Sequence, residues 1–260
     1  MVFCKLICAD VRDGMRTIED GSIDLVITSP PYNVGKEYEV GVSREEYTEM
    51  IFDVCKEFKR VLKPDGRFCC NVPFTMGSHS VTRLVMWEWE TALLEAGLTI
   101  RDYIVWDQSN SGNDTAWGSW KSASSPWLRH KAEVLLIGYN EQWKKMHKGE
   151  SSISSRDFTR WTLDIWTMAC ARSKFHPAVF PEELPRRCIH LFSYVGDVVL
   201  DPFSGAGTTL KVARDLRRNS IGIDQSEAYC EESKERIGFC QGTIDNSVKF
   251  IYEKISGEEL

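Results

Sequence analysis

Val198-Val199-Leu200-Asp201-Pro202-Phe203-Ser204-Gly205-Ala206-Gly207-Thr208-Thr209 is the most informative run for the architecture. Its apolar opening reads as a buried strand, its glycines as a tight turn and its paired threonines as the start of a helix. Gly205 and Gly207 let the backbone approach a ligand closely, and the helix start presents unpaired N–H groups to a carboxylate. No third glycine stands where a dinucleotide-binding turn needs one, and no lysine follows Gly207 as in a P-loop. Downstream, Ser220-Ile221-Gly222-Ile223-Asp224 is a second short strand ending in a carboxylate suited to a ribose diol. A nucleoside with an amino-acid tail fits both features, and S-adenosylmethionine is such a molecule.

Upstream, the apolar run Ile23-Asp24-Leu25-Val26-Ile27 reads as a buried strand of a parallel sheet. Thr28-Ser29-Pro30-Pro31-Tyr32 follows, and two consecutive prolines force the backbone out of the sheet in a stiff, extended form. The Ser29 hydroxyl, the Pro30 carbonyl and the Tyr32 ring are thereby fixed at a strand's carboxyl end, where open α/β sheets bind ligands. Two acceptors and an aromatic face suit a planar group with an exocyclic amine, such as a nucleobase. A proline-stiffened loop with a surface tyrosine is the plainer reading of the same residues.

Together the two runs resemble the beta-class amino-methyltransferases of DNA. That family holds its base with a (D/N/S)PPY motif, here Ser29-Pro30-Pro31-Tyr32, placed before the cofactor turn, here Asp201 to Thr209. The segment Lys174-Phe175-His176-Pro177-Ala178-Val179-Phe180-Pro181 is similar to the family's stretch before that turn, and Ala9-Asp10 to its adenine contact. The likeness runs from about residue 5 to 239. It implies a Rossmann-like, doubly wound, mostly parallel α/β sheet with circularly permuted motif order. For the cofactor it implies Asp10, Thr28, His176, Phe180, Pro181 and Asp201. The same set continues through Pro202, Phe203, Ser204, Gly205, Gly207, Thr208, Thr209, Asp224 and Gln225. Ser29 at the head of the motif is similar to the cytosine-N4 group, so the implied activity is N4 methylation of a cytosine flipped from duplex DNA. An N6-adenine enzyme, an RNA or protein-glutamine methyltransferase, and an inert DNA-binding module are the alternatives. The restriction-modification likeness implies double-stranded DNA and a cognate restriction endonuclease as partners, and a homodimer stays open.

Alternating strands and helices describe one domain over residues 1–260. Ser43 with Glu46 forms a capping box for a helix to Leu62, Pro64-Asp65-Gly66 turns the chain into a strand, and a helix is predicted over Ser80 to Ala96. Asn33 to Val42 is a glycine-containing loop long enough for a lid. Residues 108–175 form a loop-rich insertion with interleaved tryptophans and basic residues, read as the target-recognition region. Its patches are Arg129-His130-Lys131, Lys144-Lys145 with His147-Lys148, and Arg156 with Arg160; Lys211, Arg214, Arg217 and Arg218 decorate the helix after the cofactor turn. A satellite core is the other reading of the tryptophans.

With 260 residues, 42% of them hydrophobic, the chain can bury a substantial core. The net charge of −6 requires local basic patches if DNA is bound. Nine scattered cysteines read as reduced buried thiols, with neither a metal site nor a thiol nucleophile. The lack of a membrane-length apolar run or signal peptide predicts a cytoplasmic enzyme of a prokaryotic or viral host cell.

Overall fold

A computed structural model describes residues 1–32, 43–78, 81–109, 117–171, 180–239 and 247–255. The first part of the chain contains β1 (Val2–Cys8), α1 (Val11–Arg16), β2 (Ile23–Thr28), α2 (Arg44–Val61), β3 (Leu62–Pro73), β4 (Met76–Ser78), β5 (Val81–Arg83) and α3 (Val85–Glu95). The middle contributes β6 (Thr99–Asp107), β7 (Trp117–Gly118), β8 (Pro126–Trp127), β9 (Ala132–Tyr139), α4 (Ser155–Trp161) and β10 (Ile165–Thr167). The rest holds α5 (Glu183–Phe192), β11 (Val198–Asp201), α6 (Thr208–Asp215), β12 (Asn219–Asp224), α7 (Glu227–Ile237) and β13 (Val248–Lys254).

A nine-stranded sheet runs in the order β10-β6-β9-β3-β2-β11-β12-β1-β13. Every pairing in it is parallel except those of β9, which runs against both β3 and β6. The doubly wound, permuted architecture expected from the sequence is therefore present. Its switch point lies between β2 and β11, since β2 leads through α2 to β3 on one side and β11 leads through α6 to β12 on the other. A crevice opens at the carboxyl ends of such strands. All six residues of β2 are buried, because both faces of the sheet are covered. Phe58, Phe68 and Trp89 fill one side, and Trp106, Trp161 and Trp166 the other.

Local signals held where side chains decide the backbone. Ser43 Oγ accepts from the Glu46 amide and the Glu46 carboxylate accepts from the Ser43 amide, the capping box read from the sequence. Two segments differ. Pro64-Asp65-Gly66 lies inside a longer β3 with a register shift against β2, because residues 140–142 donate to the Gly66 and Pro64 carbonyls. Helix α3 starts at Val85, since β4 and β5 pair first. The proposed lid, Asn33 to Val42, lies outside the described residues.

Candidate active site

Thr28 and Asp201 end the two central strands, and they meet. Asp201 Oδ1 accepts from Thr28 Oγ1 at 2.9 Å and from the Phe203 amide at 3.2 Å, while Oδ2 accepts from Thr209 Oγ1 at 2.6 Å. Asp201 is 1% exposed, so it shapes the turn from beneath and ties it to the strand that carries Ser29. Burial pushes its carboxyl up to about 6, against the pull of the Thr209 and Thr28 hydroxyls. The sign follows from proton linkage. A carboxyl raised from 3.8 to about 6 gives stability fully present below pH 3.8 and lost as pH rises through about 6. Asp201→Asn is therefore expected to gain on the wild type by roughly 2–3 kcal/mol between pH 4 and pH 7.5. Urea melts at the two pH values check this; an unchanged difference would show that the charge is not the cost.

Beyond Asp201 the turn is built for close approach. Gly205 and Gly207 have φ of +49° and +76°, in the left-handed region that glycine tolerates. A Cβ on Gly207 would lie 2.2 Å from Ser233 Oγ, so nothing larger fits between this turn and α7. Gly207 caps α6, whose first residues Thr208 and Thr209 are buried, and Thr208 Oγ1 accepts from Arg236 at 2.9 Å. Asp224 ends β12 beside the turn: Oδ2 accepts from the Gly205 amide at 2.9 Å and Oδ1 from the Ser226 amide at 2.8 Å. Burial raises its carboxyl above the usual range. Each oxygen keeps a further lone pair, enough for a diol. Ser204 Oγ is buried with no partner among the described residues. Asp10 stands one strand further, on the loop after β1, where Cys8 pairs with Asp224. It caps α1 by accepting from the Arg12 amide at 2.9 Å. Acid, glycine turn, helix start and second acid thus follow one another along the edge, a donor and acceptor set that fits S-adenosylmethionine.

Across the crevice, the Ser-Pro-Pro-Tyr run is held rigidly. Tyr47 donates to the Pro31 carbonyl at 2.9 Å and Arg83 to the Tyr32 carbonyl at 3.0 Å. The Pro30 carbonyl has no partner among the described residues. Ser29 Oγ and the Tyr32 hydroxyl are 2.6 Å apart, and Tyr32 is 9% exposed. Burial, with the nearby Glu133 carboxylate, pushes the Tyr32 phenol well above its ordinary value, so it keeps its proton. Ser29 and Pro30 thus carry two neighbouring acceptors just past the end of β2, the strand that pairs with β11 and so with the strand leading into the glycine turn.

Residues 23–235 match the family model described as DNA methylase. The chain belongs to the DNA methylase family. Among its curated relatives, the type II methyltransferase M.MjaI of Methanocaldococcus jannaschii is 30% identical, over 95% of this chain and 96% of that protein. M.MjaVI of the same organism is 38% identical, over 56% of this chain and 76% of that one. The fold is shared with a putative DNA modification methylase of Thermus thermophilus, solved with S-adenosyl-L-methionine, at TM-score 0.75, 24% identity and coverage of 97% and 99% of the two chains. It is shared also with PvuII DNA methyltransferase (cytosine-N4-specific), at TM-score 0.71, 21% identity and coverage of 93% and 89%.

Not every residue expected at the methylase's site is drawn into it. His176 lies outside the described residues. Phe180 packs partly buried on the second core, Pro181 accepts from the Leu184 amide at the entry to α5, and Gln225 is exposed just past Asp224. Pro202 is buried in the turn, and Phe203 packs partly buried on the first core.

The basic patches need correction. Lys145 is buried against Asp24 and Asp197 at the amino ends of β2 and β11, the sheet edge opposite the methylase's site. Arg218 is 0% exposed, bonded to Ser152 and Ser193. Lys211 pairs with Glu182 and Asp215, and Arg217 with Glu150. Most of the groups that hold these cations are distant in sequence, so a linear patch misleads. Trp143, Trp161 and Trp166 pack into or against the second core, as the satellite-core reading has it.

Three residues that the motifs do not include form a polar cluster beside Ser29. Asn71 on β3, Gln108 just past β6 and Glu133 on β9 all meet near Ser29. A polar Asn71 inside the apolar run Phe68 to Val72 was the available signal.

Proposed function

We propose that this DNA methyltransferase moves a methyl group from S-adenosylmethionine to the N4 amine of a cytosine flipped out of duplex DNA. The observation carrying this reading is the unpartnered Pro30 carbonyl, among the described residues, beside Ser29 Oγ: two acceptors set for the two N–H bonds of one exocyclic amine. The bound cofactor supplies an electrophilic sulfonium methyl. Asp224 holds its ribose, Asp10 its adenine amine and the turn at Gly205 to Thr209 its amino-acid end. An exocyclic amine is a poor nucleophile because its lone pair is delocalised into the ring. Acceptors at Ser29 and Pro30 draw the nitrogen toward a tetrahedral shape and stabilise the positive charge that develops on it. The Tyr32 ring serves as the stacking face for the flipped base.

Duplex contact is assigned to the carboxyl edge. Within residues 108–175 we assign it to the hairpin β7–β8, the segment to Lys131 and the residues just after β10, since β6 and β10 end and β9 begins on that edge. Trp120 at the hairpin tip is 72% exposed with Lys121 over its ring, an aromatic and a cation offered together to DNA. The type II relatives support a restriction-modification setting with a cognate endonuclease as the biological partner.

Ser29 in place of a carboxylate supports cytosine through the likeness of its motif to the cytosine-N4 group. Adenine N6 is the second reading, because its amine also adjoins a ring nitrogen. Incubation with duplex DNA and labelled S-adenosylmethionine, then mass spectrometry of the digested product, decides between them. N4-methylcytosine is expected; N6-methyladenine would overturn the base and keep the class.

A further inference from the structure

Glu133 belongs to none of the motifs, yet its carboxylate reaches the Ser29 hydroxyl through two neighbours. It sits at the start of β9, opposite Pro73 of β3. Because β9 runs antiparallel, its first residues lie among the carboxyl ends of the other strands. Oε2 accepts from Asn71 Nδ2 at 2.5 Å and lies 3.3 Å from the Tyr32 hydroxyl, while Oε1 accepts from Gln108 at 3.1 Å. Asn71 Nδ2 also reaches Ser29 Oγ at 3.4 Å. Asn71 Oδ1 is buried without a partner among the described residues, so this side-chain orientation costs stability, roughly 1–3 kcal/mol. Its Nδ2 contacts to Glu133, Ser29 and the Tyr32 hydroxyl are what hold it there.

The direction of the Ser29–Tyr32 hydrogen bond is the chemical point. At 2.6 Å either hydroxyl could donate. If Tyr32 donated to Ser29, the serine hydrogen would point outward, at the N–H bonds it must accept. A carboxylate beside Tyr32 attracts the phenolic hydrogen more strongly than a neutral hydroxyl does, and the Asn71 carbonyl is a second acceptor at the same 3.3 Å. The Tyr32 oxygen is then left to accept, and the Ser29 hydrogen turns inward to it. Serine keeps its outward lone pair for the base.

We propose that Glu133 is a positioning residue: it fixes the hydrogens of Tyr32 and Ser29 inward, so that Ser29 Oγ meets the target amine only as an acceptor. This rests on the reading of Ser29 as the amine's acceptor in DNA methylation. Glu133 touches neither base nor cofactor, and acts through the hydroxyl pair.

The test is a double-mutant cycle on the full chain with duplex DNA and labelled S-adenosylmethionine, read as single-turnover methyl transfer beside DNA and cofactor titrations. Glu133→Gln is expected to slow transfer by about tenfold or more, with both affinities held within about twofold, because the acceptor matters most as charge builds on nitrogen. Tyr32→Phe keeps the ring, breaks the chain at its middle and is expected to slow transfer similarly. Adding Glu133→Gln to Tyr32→Phe is expected to cost less than about threefold more, since the carboxylate then has no phenol to orient. Independent, multiplying losses would overturn the proposal, as would a wild-type rate in Glu133→Gln. Should that variant fail to fold, a wild-type rate in Tyr32→Phe overturns it alone. A wild-type chain that methylates no duplex overturns the DNA reading as well, which separates the two failures.

Discussion

Ser29→Ala is expected to slow methyl transfer by about 10²-fold, the effect of removing one group aimed at developing charge. The substitution deletes a hydroxyl from a half-buried position beside the Pro30 carbonyl, which remains as the other acceptor. Thr28 is untouched, so the link from β2 to Asp201 persists and the cofactor turn keeps its shape. The loss should therefore appear in the single-turnover rate and barely in DNA or cofactor affinity. The Tyr32 hydroxyl loses its 2.6 Å partner but keeps Glu133 and the Asn71 carbonyl at 3.3 Å, so the ring stays seated. A Ser29→Ala enzyme with a full single-turnover rate would remove the hydroxyl from the chemistry.

Asp224→Ala should weaken S-adenosylmethionine binding by about 10²-fold, because charge-assisted hydrogen bonds contribute on the order of 1.5–3 kcal/mol each. Two effects add. The ribose loses its acceptors, and the Gly205 and Ser226 amides lose the carboxylate that orders the turn. Since burial raises this carboxyl, the wild-type enzyme should also lose cofactor affinity on acidification earlier than an ordinary aspartate would. Calorimetric titration across pH measures both; unchanged affinity in the variant would detach Asp224 from the cofactor.

Features set by local chemistry were legible from the residues alone. The double proline at Pro30-Pro31, the glycines at Gly205 and Gly207 and the capping box at Ser43 each fix backbone within a few residues. Strand β2 and the cofactor turn were readable for the same reason. Asn71, Gln108 and Glu133 were not, because their meeting depends on strand order and on the reversed direction of β9. The basic residues misled for a related cause. Lys145 and Arg218 look solvated in the sequence, and only the fold brings Asp24, Asp197 and Ser193 to them.

The first strand lies between the last two. Cys4 of β1 pairs with Ser220 of β12 on one side and with Phe250 of β13 on the other, so this strand waits for partners that follow much later in the chain. Asp10 follows β1 and Asp224 ends β12, the two acids proposed to hold the cofactor's adenosine. Such long-range closure is entropically expensive and comes late in folding. On the ribosome, β2 and β3 can pair while the cofactor half is still unmade. The nascent chain therefore acquires the wall that carries Ser29 before the glycine turn and Asp224, and a fragment ending before β11 would carry Ser29 with neither of them opposite it.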